Sequence, residues 1–415
     1  MQSRLICGLG IIILVSIAWL LSSDRRRFPV RIVVGGILLQ IVLGFLVLRT
    51  PWGQLLFEQL GNGVTHLLSF VDEGASFVFD INARSTDSVD DIIPVKHALL
   101  RTFAFGVLPT VIFFSAFMSV LYHIGVMQWV VISMAWAMQR TLGTSGPETL
   151  SAAANVFVGH TEAPLVVKPY LATMTRSELN ALMTGGFATV TGGLLGAYVD
   201  MGMDASHLIT ASVISAPAAL LIAKVMLPET EGAPSTERLQ LSSEKASVNV
   251  IGAAVQGASD GLKLALNVAA MLIAFLALIA LCNSILVAIT GVTLESILGY
   301  VFAPLALCMG IPIDESVAAG EFIGIKTVAN EFIAFMQLGE LDTASVDSPI
   351  SERTKTILTY ALAGFSNFGA IGIQVGGIGG LEPSRKDDLA KLGLRAMFGG
   401  LLACCMTGAV AGMLL

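Results

Sequence analysis

The sequence predicts an all-α polytopic membrane protein with eight transmembrane helices and two oppositely oriented re-entrant hairpins in an inverted repeat. Three observations carry that expectation. Of 415 residues, 55% are hydrophobic and only 13% charged, whereas soluble domains carry about 25% charged residues. The apolar runs are long enough for helices, not the roughly 10-residue alternating segments of a barrel. Two glutamates, Glu162 in VFVGHTEAPLVV and Glu331 in KTVANEFIAF, interrupt apolar stretches, where a carboxylate costs about 2.5–3.5 kcal/mol to insert.

The elements follow in order. The first run, Leu5–Leu21, is followed by Asp24 and three arginines, with no small-residue cleavage site. It reads as a retained helix. Arg4 precedes it, and Arg25, Arg26, Arg27 and Arg31 follow. The positive-inside rule therefore puts the N-terminus outside. Further spans are expected at Ile32–Leu48, Phe103–Leu121, Leu179–Val199, Leu208–Leu227, Leu264–Val287, Thr356–Ile378 and Leu394–Leu415. Each is near the length that crosses about 30 Å of hydrocarbon. An even number returns the C-terminus to the outside, so both termini are expected to be periplasmic in a multi-pass inner-membrane protein.

The loops fit this topology in most places. The outer loop Pro51–His97 is acidic, with Asp72, Glu73, Asp80, Asp87, Asp90 and Asp91. The inner side collects Arg140, Lys168, Arg176, Lys224, Arg238, Lys245, Arg385 and Lys386. Arg353 and Lys355 fall outside, against the rule. Gln54–Phe79 is expected to lie along the outer surface. Pro228–Ser247, rich in Pro, Ser and charge, reads as a flexible cytoplasmic connector.

Leu150–Val167 and Val317–Phe335 are too broken by Gly, Pro, Asn and Glu to span, and read as re-entrant hairpins. Gln128–Leu142 precedes the first hairpin as Leu294–Met309 precedes the second. Each hairpin is followed by a broken helix, with GFAT at 186–189 matched by GFSN at 364–367. Interfacial helix, hairpin, broken helix and helix thus occur twice, the pattern of secondary transporters that bind at the membrane midplane.

The polar residues of these segments are the candidate site. The first hairpin offers Asn155, Val158, His160, Thr161 and Glu162, and its broken helix Thr189 and the Val190 carbonyl. An oxygen-rich, partly backbone set suits Na⁺, a hard cation, but helix–helix hydrogen bonding explains Asn155 and Thr189 equally well. The second hairpin offers Lys326, Asn330 and Glu331, with Asn367 beyond. Lys326 reads equally as a partner that simply neutralises a carboxylate. His160 reads as a hydrogen-bond donor to ligand, or as a proton relay.

Other classes have less support. No phosphate loop, HExxH or Ser-His-Asp arrangement occurs, and no basic block suggests nucleic acid. The five cysteines, all in apolar runs, read as small hydrophobes. A Glu162–Glu331 hydrolase dyad lacks an activated nucleophile, so the chain is not expected to be an enzyme. No organic cofactor is expected, and Na⁺ enters only as a coupling ion.

In SAAANVFVGHTEAPLVVKPY, GGFATVTGGLLGAY, GLKLALNVAAMLIAFLALIAL, GEFIGIKTVANEFIAF and GFSNFGAIGI the chain resembles the concentrative nucleoside transporters almost end to end. The resemblance implies a homotrimer in the bilayer, with a scaffold domain and a transport domain that carries substrate like an elevator. The expected division is 1–125 scaffold, 126–227 first transport repeat, 228–247 linker, 248–291 scaffold and 292–415 second transport repeat.

The resemblance also implies nucleobase contacts at His160, Thr161, Glu162 and Leu194. It implies ribose contacts at Glu331 and Asn367, with packing from Leu264 and Phe365. Sodium would bind at Asn155, Val158, Thr189 and Val190. This chain departs from the family at His160, where Gln is usual, and at Ala370, where Ser is common. The expected function is sodium-driven nucleoside import. The alternatives are proton coupling through His160 or Glu162, and a passive channel.

Overall fold

The structure, a computed structural model, describes residues 2–79, 103–160, 162–231, 247–341 and 348–415. The acidic loop beyond Phe79, most of the 228–247 connector and Thr161 lie outside the described residues. Among those residues the chain is helical, with no strand.

Helices α1 (Gln2–Leu20), α2 (Val30–Arg49) and α3 (Pro51–Val78) come first. Thr50 stops α2 and caps α3, its side chain accepting from the Gly53 amide, and Pro51 suits the first turn of α3. The segment expected along the outer surface is thus a 28-residue helix packed on α2 and on the helix at 205–226. A π-helical turn, Phe103–Val107, leads into α4 (Leu108–His123). α5 (Val126–Leu142) leaves α4 at 76°. Gly125 makes that corner with φ of +93°, a conformation that side chains disfavour.

The first hairpin opens with α6 (Gly146–Asn155), held by a capping box of Ser145 and Glu148 and buried along its whole length. After the tip come α7 (Ala163–Val166) and a 3₁₀ turn, Lys168–Tyr170. The expected span at 179–199 is two helices, α8 (Arg176–Ala188) and α9 (Gly192–Asp200), broken at Thr189–Thr191. α10 (Ala205–Met226) starts at an Asp204 cap and is almost wholly buried.

α11 (Val250–Thr290) has 41 residues, about 60 Å of helix, far longer than the span expected at Leu264–Val287. Asp260 and Lys263 interrupt its apolar run within the first third, which is why the sequence pattern caught only the later part. α12 (Leu294–Cys308) and α13 (Ile313–Val328) meet at 114°. The second hairpin continues into α14 (Glu331–Glu340), and α15 (Glu352–Leu362) and α16 (Phe368–Leu381) form the second broken helix. α17 (Lys386–Leu414) closes the chain.

By length and composition, five of the described helical spans could cross a membrane, counting α8 with α9, and up to seven if each sharply bent pair is one span. The eight expected spans differ from these at identifiable places. Arg4–Leu20 is apolar but short, and the 356–378 span is split in two. The repeat is visible as α5–α10 followed by α12–α17, in the same order of elements.

α4 packs along α11 and also against α9 of the first repeat. A Cβ on Gly257 or Gly261 would meet the α4 backbone within 3 Å, so only glycine allows that approach. α1 packs on α17 and α2 on α10, which joins these N-terminal helices to the repeats and not to the α4–α11 pair. The first repeat is tied at its base by a buried ionic cluster. Lys224 Nζ lies 2.5 Å from Glu148 and 3.6 Å from Glu229, and donates to Ser177 at 3.0 Å.

Candidate functional site

The second hairpin breaks at Ala329 and Asn330, and the residues at the break are fully engaged. Asn330 caps α14, its Oδ1 accepting from the Ile333 amide at 2.9 Å. Glu331 is the first residue of α14, where the helix dipole favours an anion. Its Oε1 accepts from the Tyr198 hydroxyl at 3.1 Å and its Oε2 from Asn367 Nδ2 at 3.2 Å. Asn367 in turn caps α16 by accepting from the Ala370 amide at 2.8 Å. Glu331, Asn367 and Tyr198 are all buried. A carboxylate has about four lone-pair sites, so two remain for hydroxyl donors.

Lys326 does not pair with Glu331, which corrects one sequence reading of it. It is fully buried, and its ammonium donates to the Ala361 carbonyl at 2.8 Å. That carbonyl belongs to the last turn of α15, where helix acceptors go unmet and a cation is favoured.

The first hairpin has a different character. Asn155 ends α6 and is 1% exposed, yet neither its Oδ1 nor its Nδ2 has a hydrogen-bond partner. A Cβ on Gly185 would lie 3.0 Å from its Nδ2, so α8 approaches it closely. The tip then crosses the first break, where the Gly192 amide donates to the Phe157 carbonyl at 3.1 Å. Asn155, Val158, Thr189 and Val190 are therefore gathered in one buried region. The Thr189 hydroxyl is turned back to the Gly185 carbonyl at 2.9 Å.

His160 is buried with both ring nitrogens unpartnered, and its ring stands edge-on to Phe365 at 4.6 Å. Leu194 is buried one turn into α9, and Leu264 is half-buried on α11. Glu162, expected within the apolar interior, is exposed. It stands at the N-cap position of the four-residue α7, without a side-chain capping bond.

The two breaks touch. Cys404 of α17 points its thiol at the Ala188 and Ala363 carbonyls, 3.6 and 3.8 Å away. A Cβ on Gly364 would sit 2.8 Å from the Phe187 carbonyl, and one on Gly400 would overlap the Phe187 side chain. The sites offered by the two hairpins thus share a crossing of freed backbone, the tolerated place for irregular structure at membrane depth.

Three family descriptions match consecutive parts of the chain: Na⁺ dependent nucleoside transporter N-terminus over residues 9–81, nucleoside recognition (Gate) over 104–205, and Na⁺ dependent nucleoside transporter C-terminus over 207–412. The chain belongs to the Na⁺-dependent nucleoside transporter family. Its relatives in that family include the uncharacterized transporter YutK of Bacillus subtilis, 42% identical over 98% of both chains. Solute carrier family 28 member 3 of Eptatretus stoutii is 41% identical over 98% of this chain, which spans 60% of that relative's length.

Solved structures agree with this nucleoside-transporter fold. CNTnw in an inward-facing substrate-bound state is 40% identical, with TM-score 0.89 over 99% of this chain and 98% of that one. An outward-facing variant of CNTnw gives TM-score 0.92 at 39% identity, covering 100% and 98%. Nucleoside transport, not catalysis, is the activity of this family, and the all-helical fold with sharply bent pairs is that of CNTnw.

Two residues of the transporter's polar interior were not picked out from the sequence. Tyr198 sits in an apolar run, and its only signal is that a buried tyrosine needs a partner for its hydroxyl. Gln374 is buried on α16 beside Gly186 of α8. It is the one polar side chain in FGAIGIQVGGIGGL, a signal that was available and unread.

Proposed function

We propose that the protein is a sodium-coupled nucleoside symporter that moves its substrate by an elevator-type alternation. One observation carries the sodium assignment. Asn155 is buried with an unmet carbonyl oxygen against Gly185, one turn before the break at Thr189 and Val190, and a hard cation prefers oxygen ligands of that kind. Val158 and Val190 would add carbonyls and Thr189 its hydroxyl.

The ribose hydroxyls would go to Glu331 and Asn367, with Phe365 and Leu264 against the ligand. His160, Thr161, Glu162 and Leu194 would meet the base. Ion and base residues share one tip, so Na⁺ would order the tip and complete the base site. One Na⁺ falling through 100 mV yields about 2.3 kcal/mol, and a tenfold gradient adds about 1.4 kcal/mol. Together they support a few-hundredfold accumulation, on the order of 10² to 10³.

The moving body would hold both repeats, and the frame would be built on α4 and α11, whose mutual packing supports that division. The exposed apolar face of α11, with Leu266, Ile273 and Leu281, suits lipid or the other subunits of a homotrimer in a bacterial-type inner membrane. Uptake into proteoliposomes under an imposed Na⁺ gradient at fixed pH tests the coupling. The expected result is accumulation that collapses with the gradient. Sodium-independent uptake that follows a proton gradient overturns it, and uptake that only equilibrates makes the protein a channel.

A further inference from the structure

Gln374 is 1% exposed in the most apolar part of α16. Its Nε2 donates to the Met183 carbonyl of α8 at 3.2 Å. Only the nitrogen of the amide can serve a carbonyl, so the orientation is set and Oε1 is left as an acceptor. That Oε1 has no partner. The Met183 carbonyl already lies within α8, so the bond to Gln374 is not needed to satisfy it. An apolar side chain would fill the position without leaving a buried acceptor unmet, which is costly.

Gln374 stands next to His160. A Cβ on Gly186 would lie 2.6 Å from the His160 Cβ and 2.9 Å from Gln374 Nε2, so the missing side chain of Gly186 makes the room in which the two meet α8. His160 also has both ring nitrogens unpartnered. Asn367, Ala370 and Gln374 are all buried on α16, and seven residues of helix cover about 10 Å. That face therefore runs from the Glu331–Asn367 pair at one end to His160 at the other, roughly the length of a nucleoside.

We propose that Gln374 is a specificity-determining residue of the base site, acting beside His160 to favour nucleobases that carry an exocyclic amine. This rests on the reading that the base lies against His160. The amide oxygen of Gln374 and the bare nitrogen of a neutral His160 are two acceptors, and an amine supplies two N–H donors to meet them. A 6-oxo purine or a uracil puts a carbonyl in the same place, so at the Gln374 oxygen acceptor faces acceptor. Ala370, lacking a hydroxyl, adds no donor of its own to this face.

The test is competition between adenosine and inosine, and between cytidine and uridine, for uptake of a radiolabelled nucleoside into proteoliposomes. Wild type, Gln374→Leu, His160→Gln and the double variant are compared, with Gln374→Met as a second apolar replacement should the leucine variant not fold. The expected result is an amine preference in wild type that falls about 3- to 10-fold in Gln374→Leu or Gln374→Met, the loss of one hydrogen bond. The double variant should lose less than the product of the single losses, because the two side chains act on one group. An equal loss for all four nucleosides, or an unchanged ratio, would make Gln374 structural and overturn the inference. A wild type that prefers inosine and uridine overturns it too. A wild type that takes up no nucleoside refutes the symporter reading instead.

Discussion

Both hairpins bring an asparagine to the point where the chain breaks, and they treat it in opposite ways. In the second, Asn330 caps a helix, and both oxygens of the adjoining Glu331 accept from protein donors. In the first, Asn155 and His160 bury four polar atoms with no protein partner. A buried polar group left unmet costs about 1–3 kcal/mol. The protein has therefore set the geometry of the second tip in advance, while the first tip is complete only with something bound. The same first hairpin is rigid at its base, where Lys224 joins Glu148, Glu229 and Ser177. Firmness at the base and incompleteness at the tip are compatible with an element that must recognise a ligand without losing its place.

The largest effect that would break this contrast is at the base. Lys224→Ala leaves Glu148 buried without its cation, and about 3–5 kcal/mol of stability should be lost. The midpoint of thermal unfolding in detergent should fall sharply, with or without Na⁺. A small shift would mean that the first hairpin is not anchored there.

Next is Glu331→Gln. The amide oxygen could still accept from Asn367 while its nitrogen donates to the Tyr198 hydroxyl, but the charged acceptor proposed for the ribose is lost. Nucleoside affinity should weaken by about 1.5–3 kcal/mol, the worth of a hydrogen bond to a charged group, when measured by calorimetry. Near wild-type affinity would remove Glu331 from the site.

Asn155→Ala sharpens the contrast from the other side. Deleting an amide that has no protein partner should leave thermal stability in Na⁺-free buffer almost unchanged. The gain in stability and in nucleoside affinity on adding Na⁺ should shrink by about 1–2 kcal/mol, the order expected for one lost ligand. A normal response to Na⁺ would place the ion elsewhere. Smallest is Tyr198→Phe, which removes one hydrogen bond from Glu331 and should weaken nucleoside binding about 3- to 10-fold. Thermal stability should barely change, since Glu331 keeps Asn367.

Much of this architecture was legible in the chain, and the places where it was not have physical reasons. Apolar length found α2, α10 and α17, because each carries a continuous apolar run long enough to span. The breaks at Thr189–Thr191 and Ala363–Asn367 were legible from Gly, Thr and Asn within apolar runs. Asn367 and Asn330 were noticed as polar residues, but their capping role depends on backbone angles that composition does not encode. The length of α11 was missed because Asp260 and Lys263 look like an end, although both are exposed on a helix that simply continues. Lys326 was misread because a sequence shows charges and not backbone carbonyls, and its partner is Ala361. Glu162 lies among apolar neighbours yet is exposed, because direction around a tip is not written in composition. Gln374 was passed over amid glycines, although a lone amide in such a helix was the more informative feature.

The crossing of the two breaks has a mechanical consequence. Where Gly364 and Gly400 press against Phe187, no side chain fits between the segments, and packed protein interiors have little room to compress. A push on either interrupted helix at that point is delivered to the other. The first and second hairpin sites accordingly turn on a common fulcrum, and neither can be retuned by mutation near it without disturbing its counterpart.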